Sequence, residues 1–231
     1  MASLFVVATP IGNLEDMTFR AVRILSEVDI IAAEDTRHTK ILLNKYDIHT
    51  QITSYHKFNI EAKTQQLVDL IKQGQNIALV TDSGMPGISD PGYELIRESI
   101  IQGIRVEPIP GPSAAITALA VSGLSTDQFV FAGFLPKKPG KKTKKLEALQ
   151  KQAGTIIIYE SPFRLVKTLN DIQRVFGNRE VVVCRELTKK FEEIIRGKAG
   201  DVLEKLKDRK VKGEVVLVVA GFNQDTQRES I

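Results

Sequence analysis

Asp82 and Asp90 stand at either end of a glycine-rich run, Asp82-Ser83-Gly84-Met85-Pro86-Gly87-Ile88-Ser89-Asp90-Pro91-Gly92. Gly84 and Gly87 permit backbone angles and close approaches that a side chain would forbid. No Lys or Arg lies within the run. Two carboxylates without a cation suit a triphosphate poorly. They better suit a ligand carrying hydroxyls, an amino group or a positive centre, and S-adenosylmethionine carries all three. The run is not a phosphate-binding loop, because no Gly-Lys-Ser/Thr follows, and its glycines lack the G-x-G-x-x-G spacing. The plainer reading is a turn that binds nothing, since glycine-rich turns of this kind are common.

The elements around the run make it part of an open α/β sheet. The apolar residues Ile77-Ala78-Leu79-Val80 before it read as a buried strand. The residues after it read as a helix, with Asp90 as N-cap and Pro91 at the first helical position. Ligands of such sheets sit beyond the carboxyl ends of the strands. Upstream, strands are expected over 3–9, 29–33 and 51–55, and helices over 17–28, 38–46 and 61–73. A short strand near 105–108 and a helix opening at Pro110-Gly111-Pro112-Ser113-Ala114-Ala115 complete the first half. This alternation predicts a mostly parallel sheet covered on both faces.

A turn-like stretch at 123–127 marks the expected boundary between a first domain, 1–122, and a second, 123–231. The second half restarts with strands over 129–134, 155–159, 180–187 and 214–220. Helices are expected after Ser161-Pro162 and around 201–207. A basic loop, 136–145, carries Lys137, Lys138, Lys141, Lys142, Lys144 and Lys145 and leads into a helix. The polar segment 223–231 ends the sequence. The fold expected is α/β in two domains, the N-terminal sheet mostly parallel and the C-terminal one mixed, with the cofactor in the cleft between them.

Composition narrows the class. The 231 residues are 42% hydrophobic and 26% charged, an ordinary balance for a folded α/β protein. No apolar run reaches the ~18–20 residues of a membrane span, and the N-terminus lacks the basic start of a signal peptide. A cytoplasmic protein without membrane association is expected. Cys184 is the single cysteine, which rules out an internal disulfide and suits a reducing compartment. It lies within the apolar stretch Val181-Val182-Val183-Cys184 and reads as an inert buried thiol rather than a nucleophile. His38, His49 and His56 lack metal-ligand spacing, so no metal is expected. The net charge of +4 hints at an anionic partner.

Taken in order, six segments resemble one known family. They are Thr9-Pro10-Ile11-Gly12-Asn13-Leu14, Ala33-Glu34-Asp35-Thr36-Arg37, the run from Asp82 to Gly92, Pro110 to Ala114, Tyr159-Glu160-Ser161-Pro162-Phe163-Arg164, and Arg185-Glu186-Leu187-Thr188-Lys189. Together they resemble the tetrapyrrole methylases, the class III S-adenosylmethionine-dependent methyltransferases, and within them the group that modifies small-subunit ribosomal RNA. The resemblance implies two α/β domains, S-adenosylmethionine as cofactor and a homodimer. It further implies 2′-O-methylation of a cytidine ribose in the decoding region of 16S rRNA. Two departures stand out. Ser83 replaces a frequent alanine, and His56-Lys57-Phe58-Asn59-Ile60 lacks the second histidine and the glutamate of the group's usual run.

Methyl transfer from a sulfonium is an in-line displacement that depends on aligning the acceptor. A ribose hydroxyl is a poor nucleophile at neutral pH, so a base or cation should assist it. The candidates are Glu34, Asp35, Arg37 and Glu186, with Arg185 and Lys189 nearby in sequence. The same groups read equally well as structural ion pairs. For the cofactor, the expected contacts are Pro10, Ile11, Gly12, Asp82, Gly84, Met85, Pro86, Ser113 and Ala114, closed by Tyr159, Arg185 and Glu214 of the second domain. The six lysines are expected to be mobile and to meet RNA phosphates, against the plainer reading of a solvated charge run. Phe134 and Phe163 can stack on bases, but their apolar neighbours suggest core positions. Two other functions compete: methylation of a small tetrapyrrole precursor, and an RNA-binding module without catalysis.

Overall fold

The computed structural model describes residues 2–222; the polar segment 223–231 lies outside them. The chain divides into two compact units, one ending at Ser113 and the other starting at Ala114. Each is a five-stranded sheet with helices packed on it.

In the first unit β1 (Ser3–Val7), β2 (Ile30–Ala33), β3 (Gln51–Ser54), β4 (Ile77–Val80) and β5 (Arg105–Ile109) lie in the order β3-β2-β4-β1-β5. Every pairing is parallel. Both faces are covered. Val7, Ile31, Ala33, Ala78, Val80 and Ile109 pack with residues of α1 (Phe19–Glu27) and α2 (Thr36–Lys45). Leu4, Val6, Ile30, Ala32, Ile77 and Leu79 face α3 (Ile60–Lys72) and α4 (Tyr93–Ile101). Strands buried on both sides explain the uninterrupted apolar runs in the sequence.

The order also fixes where a ligand can enter. The chain leaves β2 through α2 toward β3, on one side, and leaves β4 through α4 toward β5, on the other. Because β2 and β4 are neighbours, a crevice opens between their carboxyl ends, the usual ligand position of an open α/β sheet.

The second unit opens with α5 (Ala114–Ser122), which packs on the second sheet. The boundary therefore falls before this helix and not at 122/123 as the turn-like composition suggested. Its strands are β6 (Phe129–Phe134), β7 (Thr155–Glu160), β8 (Glu180–Arg185), β9 (Glu193–Lys198) and β10 (Val215–Val219), in the order β6-β7-β10-β8-β9. Only β6 and β7 pair in parallel, so this sheet is mixed. A single core joins it to α6 (Pro139–Leu149), α7 (Leu165–Phe176) and α8 (Ala199–Leu206).

Two local expectations are corrected. Helix α4 begins at Tyr93 with Gly92 as its N-cap, so Asp90 and Pro91 belong to the turn. Gly92 has φ 147°, and a Cβ there would lie 2.8 Å from the Gly87 nitrogen, a conformation and a contact that require glycine. The lysine segment is not a mobile loop. From Pro139 onward it is helix α6, with proline in the first turn, where its missing N–H costs nothing.

Candidate active site

Three strand-to-helix turns meet in the first unit. Past β1, the Thr9 N–H donates to the Gly84 carbonyl at 2.9 Å, and the Thr9 carbonyl accepts the Gly84 N–H in return at 3.0 Å. The Thr9 hydroxyl donates to the Thr81 carbonyl at 2.9 Å. Gly84 has φ 78°, and a Cβ there would lie 3.7 Å from Ile11 Cγ2 and 3.8 Å from the Pro112 carbonyl. The turns after β1, β4 and β5 are thus in contact around one glycine. Gly111 lets the outer two approach, since a Cβ there would sit 2.9 Å from that of Ala8. Ile11 and Pro86 are buried, Asp82 and Met85 are half-buried, and Gly12 is exposed at the rim. Pro10 and Ser113 belong to the same two outer turns.

The crevice between β2 and β4 holds a carboxylate pair. The Asp35 N–H donates to Asp82 Oδ1 at 3.1 Å, and the Asp82 N–H donates to Glu34 Oε2 at 3.5 Å. Burial raises the Glu34 pKa above the ordinary carboxyl range and the Asp82 charge adds to this. The Asp82 amide and Lys57 oppose the rise without cancelling it. Lys57 comes from the turn after β3, which Asn59 fastens by accepting the His56 N–H at 2.8 Å. The His56 Nδ1 is buried without a partner.

Asp35 and Arg37 have a different job. Asp35 caps α2 by accepting the Arg37 N–H at 2.8 Å, and its carboxylate also holds the Arg37 guanidinium at 2.7 Å. Those contacts hold the Asp35 carboxyl well below the usual range. The Arg37 side chain is almost wholly in solvent. The Glu34-Asp35-Thr36-Arg37 run therefore combines one perturbed acid with a helix cap.

In the second unit Glu186, Lys189 and Glu214 form a closed set. Glu186 Oε1 accepts the Glu214 N–H at 2.9 Å and the Lys189 ammonium at 3.0 Å. Lys189 also reaches Glu214 Oε2 at 2.9 Å. Burial alone would raise the Glu186 carboxyl; the Glu214 amide and Lys189 outweigh it, so the pKa is lowered. Arg185 spends its guanidinium on Glu193 at 3.2 Å, the Lys212 carbonyl at 3.1 Å and the Phe191 carbonyl at 3.0 Å. These contacts tie together the segments on either side of β8. Tyr159 lies edge-on between Phe131 and Phe134, with ring centroids 4.9 and 5.6 Å away. Ala114 opens α5. Cys184 is buried, and burial pushes its thiol pKa up to about 11, consistent with an inert side chain.

The lysine set divides. Lys137, Lys138, Lys141, Lys144 and Lys145 are exposed. Lys142 is 3% exposed, with its ammonium 2.5 Å from Asp171 Oδ2 and 3.3 Å from the Thr168 hydroxyl, so it is no RNA ligand. Its spacing to Leu146 and Leu149, i+4 and i+7, is the signal that it faces inward. Phe134 and Phe163 also depart from the expected core positions: both are exposed.

The first unit's residues fit S-adenosylmethionine. The Gly84 cradle leaves room for close backbone approach, and the acids at the crevice suit a sulfonium and an amino group. The Thr81 hydroxyl beside Asp82 is buried without a hydrogen-bond partner. Among the described residues no group of three or more His, Cys, Asp or Glu is placed to hold a metal.

The fold and this crevice define a class. Residues 3–203 match the model of the Tetrapyrrole (Corrin/Porphyrin) Methylases, and the chain belongs to that family, whose enzymes take their methyl group from S-adenosylmethionine. It is 50% identical over 99% of its length to the Ribosomal RNA small subunit methyltransferase I of Halalkalibacterium halodurans, covering 79% of that protein. The enzyme of the same name from Thermotoga maritima is 46% identical over 96% of this chain and 99% of its own. Among solved structures, diphthine synthase superposes with a TM-score of 0.72 at 13% identity, covering 99% of this chain and 94% of its own, a likeness of fold.

Proposed function

We propose that the chain methylates the ribosomal RNA of the small subunit, at the 2′-hydroxyl of a cytidine ribose in the decoding region of 16S rRNA. The observation that carries this reading is the 50% identity along nearly the whole chain to a methyltransferase named for that RNA. No observation favours a small tetrapyrrole substrate, because the tetrapyrrole methylases' likeness at the level of fold does not choose an acceptor. Intact Gly84, Asp82 and Glu34 speak against a module without catalysis. A homodimer and a cytoplasmic location accompany the reading. Among the described residues no helix is long and apolar enough to cross a membrane.

The bound cofactor supplies an electrophilic methyl group on a sulfonium. The turns carrying Pro10, Ile11, Gly84 and Pro112 would hold it, and Asp82 and Met85 would line it. Glu34 is the base. Placed beside the ribose, Glu34 would accept the proton of the attacking 2′-hydroxyl. Its raised pKa suits the task, because a carboxylate of ordinary pKa binds a proton too weakly near neutrality. Burial raises that pKa most, the Asp82 charge adds to the rise, and Lys57 opposes it. Arg37 and the exposed lysines 137, 138, 141, 144 and 145 meet phosphates rather than the reacting atoms.

The test offers the protein labelled S-adenosylmethionine with either unmodified small subunits or uroporphyrinogen. Label in the RNA alone supports the reading. Label in the tetrapyrrole alone overturns it.

A further inference from the structure

The end of the second sheet past β6 and β7 carries exposed aromatic and cationic side chains. Strands β6 and β7 run parallel with Phe134 opposite Tyr159, so the segments that follow them leave the same edge. Phe134 is 58% exposed there and Phe163 is 89% exposed. A rigid clamp joins their two segments. The Arg164 guanidinium donates to the Leu135 carbonyl at 2.9 Å and the Pro136 carbonyl at 3.3 Å. Its Nε lies 3.3 Å from the buried Glu160 carboxylate, which also accepts the Ser161 N–H at 2.8 Å and the Thr168 hydroxyl at 2.6 Å. Lys137, Lys138 and Lys141 follow Phe134 in the sequence and are exposed. From Leu135 to Lys145 there is no acidic residue.

We propose that Phe134 and Phe163 form a stacking platform for unpaired bases of the RNA, with Lys137, Lys138 and Lys141 on the adjoining phosphates. The proposal rests on the RNA reading above. Charge complementarity selects the occupant. Flat apolar rings beside several exposed cations, with the one carboxylate of the clamp, Glu160, buried and paired with Arg164, match a chain of planar bases on an anionic backbone. Every base has a face to stack, so the platform supplies grip and not the choice of nucleotide. The Arg164–Glu160 clamp explains why a buried carboxylate is kept here: it holds two short segments at a fixed offset, which a stacking site requires.

The experiment measures affinity for a short unstructured RNA oligonucleotide by fluorescence anisotropy at several salt concentrations. Phe163→Leu keeps an apolar side chain and removes the ring, and its exposure leaves the fold intact. It should lose about ten-fold in affinity at every salt concentration, within the range seen for base–aromatic stacking. Phe163→Trp should bind as wild type or more tightly. Combining Lys137→Gln with Lys138→Gln should instead flatten the log–log salt slope by about 0.7 per lost contact. Phe163→Leu binding like wild type, or Leu and Trp variants losing equally, overturns the platform. Wild-type methyl transfer to small subunits, measured on the same preparation, separates the two readings. Transfer with a Phe163-independent affinity removes the platform alone, whereas Phe163-dependent binding without transfer removes the function and leaves the platform.

Discussion

Glu34 and Asp82 face one another across the carboxyl ends of β2 and β4, the Asp82 N–H reaching Glu34 Oε2 at 3.5 Å. They are 48 residues apart in sequence, and the pair exists because β4 inserts beside β2 in the sheet. Burial and this second carboxylate together keep the Glu34 proton bound to a higher pH than usual.

Methyl transfer at saturating cofactor should therefore rise with pH through the raised Glu34 pKa. Glu34→Gln should lower kcat by about 10²- to 10⁴-fold, the usual worth of a positioned base. Asp82→Asn removes the neighbouring charge, so the acidic limb should move to lower pH. Lys57→Gln should move it the other way. For stability the sign is reversed. The folded protein binds the Glu34 proton more tightly than the unfolded chain, so this group's contribution is largest below the unfolded pKa and falls as pH rises to the folded value. A pH–rate profile unchanged in all three variants would remove Glu34 from the chemistry.

The three central strands of the first sheet, β1, β2 and β4, were legible in the sequence because each is a short apolar run closed by a turn. The cofactor turns were legible through their glycines and prolines. Their meeting around Gly84 was not, since it depends on strand order. Strand β9, Glu-Ile-Ile-Arg-Gly-Lys, was missed because an edge strand broken by charges and Gly197 lacks clean alternation. Asp90-Pro91 imitated a helix start, while the helix waits for Gly92. In Glu34-Asp35-Thr36-Arg37 and Arg185-Glu186 the residue types were visible, but their hydrogen-bond partners decide which acid is free to react, and those come from distant segments.

Lys142 should behave unlike its neighbours. Lys142→Ala leaves Asp171 with Arg174 as its one cation and takes a partner from Thr168, which keeps Glu160, at a cost of about 1–3 kcal/mol. Lys138→Gln and Lys141→Gln should leave the melting temperature unchanged. Chemical denaturation of the three variants checks this, and equal stabilities would contradict the burial of Lys142.

Gly84→Ala should destabilise the protein by about 1–2 kcal/mol, because φ 78° is left-handed backbone for an alanine. The added Cβ itself meets only ordinary contacts, so the fold should survive. Gly84→Val adds bulk against Ile11 and Pro112 and should weaken S-adenosylmethionine binding further. Calorimetry showing wild-type affinity in a folded Gly84→Val protein would move the cofactor elsewhere.

Cys184 should resist iodoacetamide at neutral pH in the native protein and react once the protein is unfolded in urea, since its thiol is buried and burial pushes its pKa up to about 11. Rapid native alkylation would contradict its place in β8.

The central claim is transfer to a ribose oxygen, and alkali tests it most directly. A 2′-O-methyl group blocks the neighbouring hydroxyl from attacking its phosphodiester, so that one linkage survives hydrolysis. After labelling unmodified small subunits with the protein and methyl-labelled S-adenosylmethionine, the 16S rRNA is hydrolysed in alkali and its fragments are separated. The account predicts label in an alkali-stable dinucleotide beginning with cytidine, and its loss in Glu34→Gln. Label recovered in single nucleotides would place the methyl group on a base and contradict it.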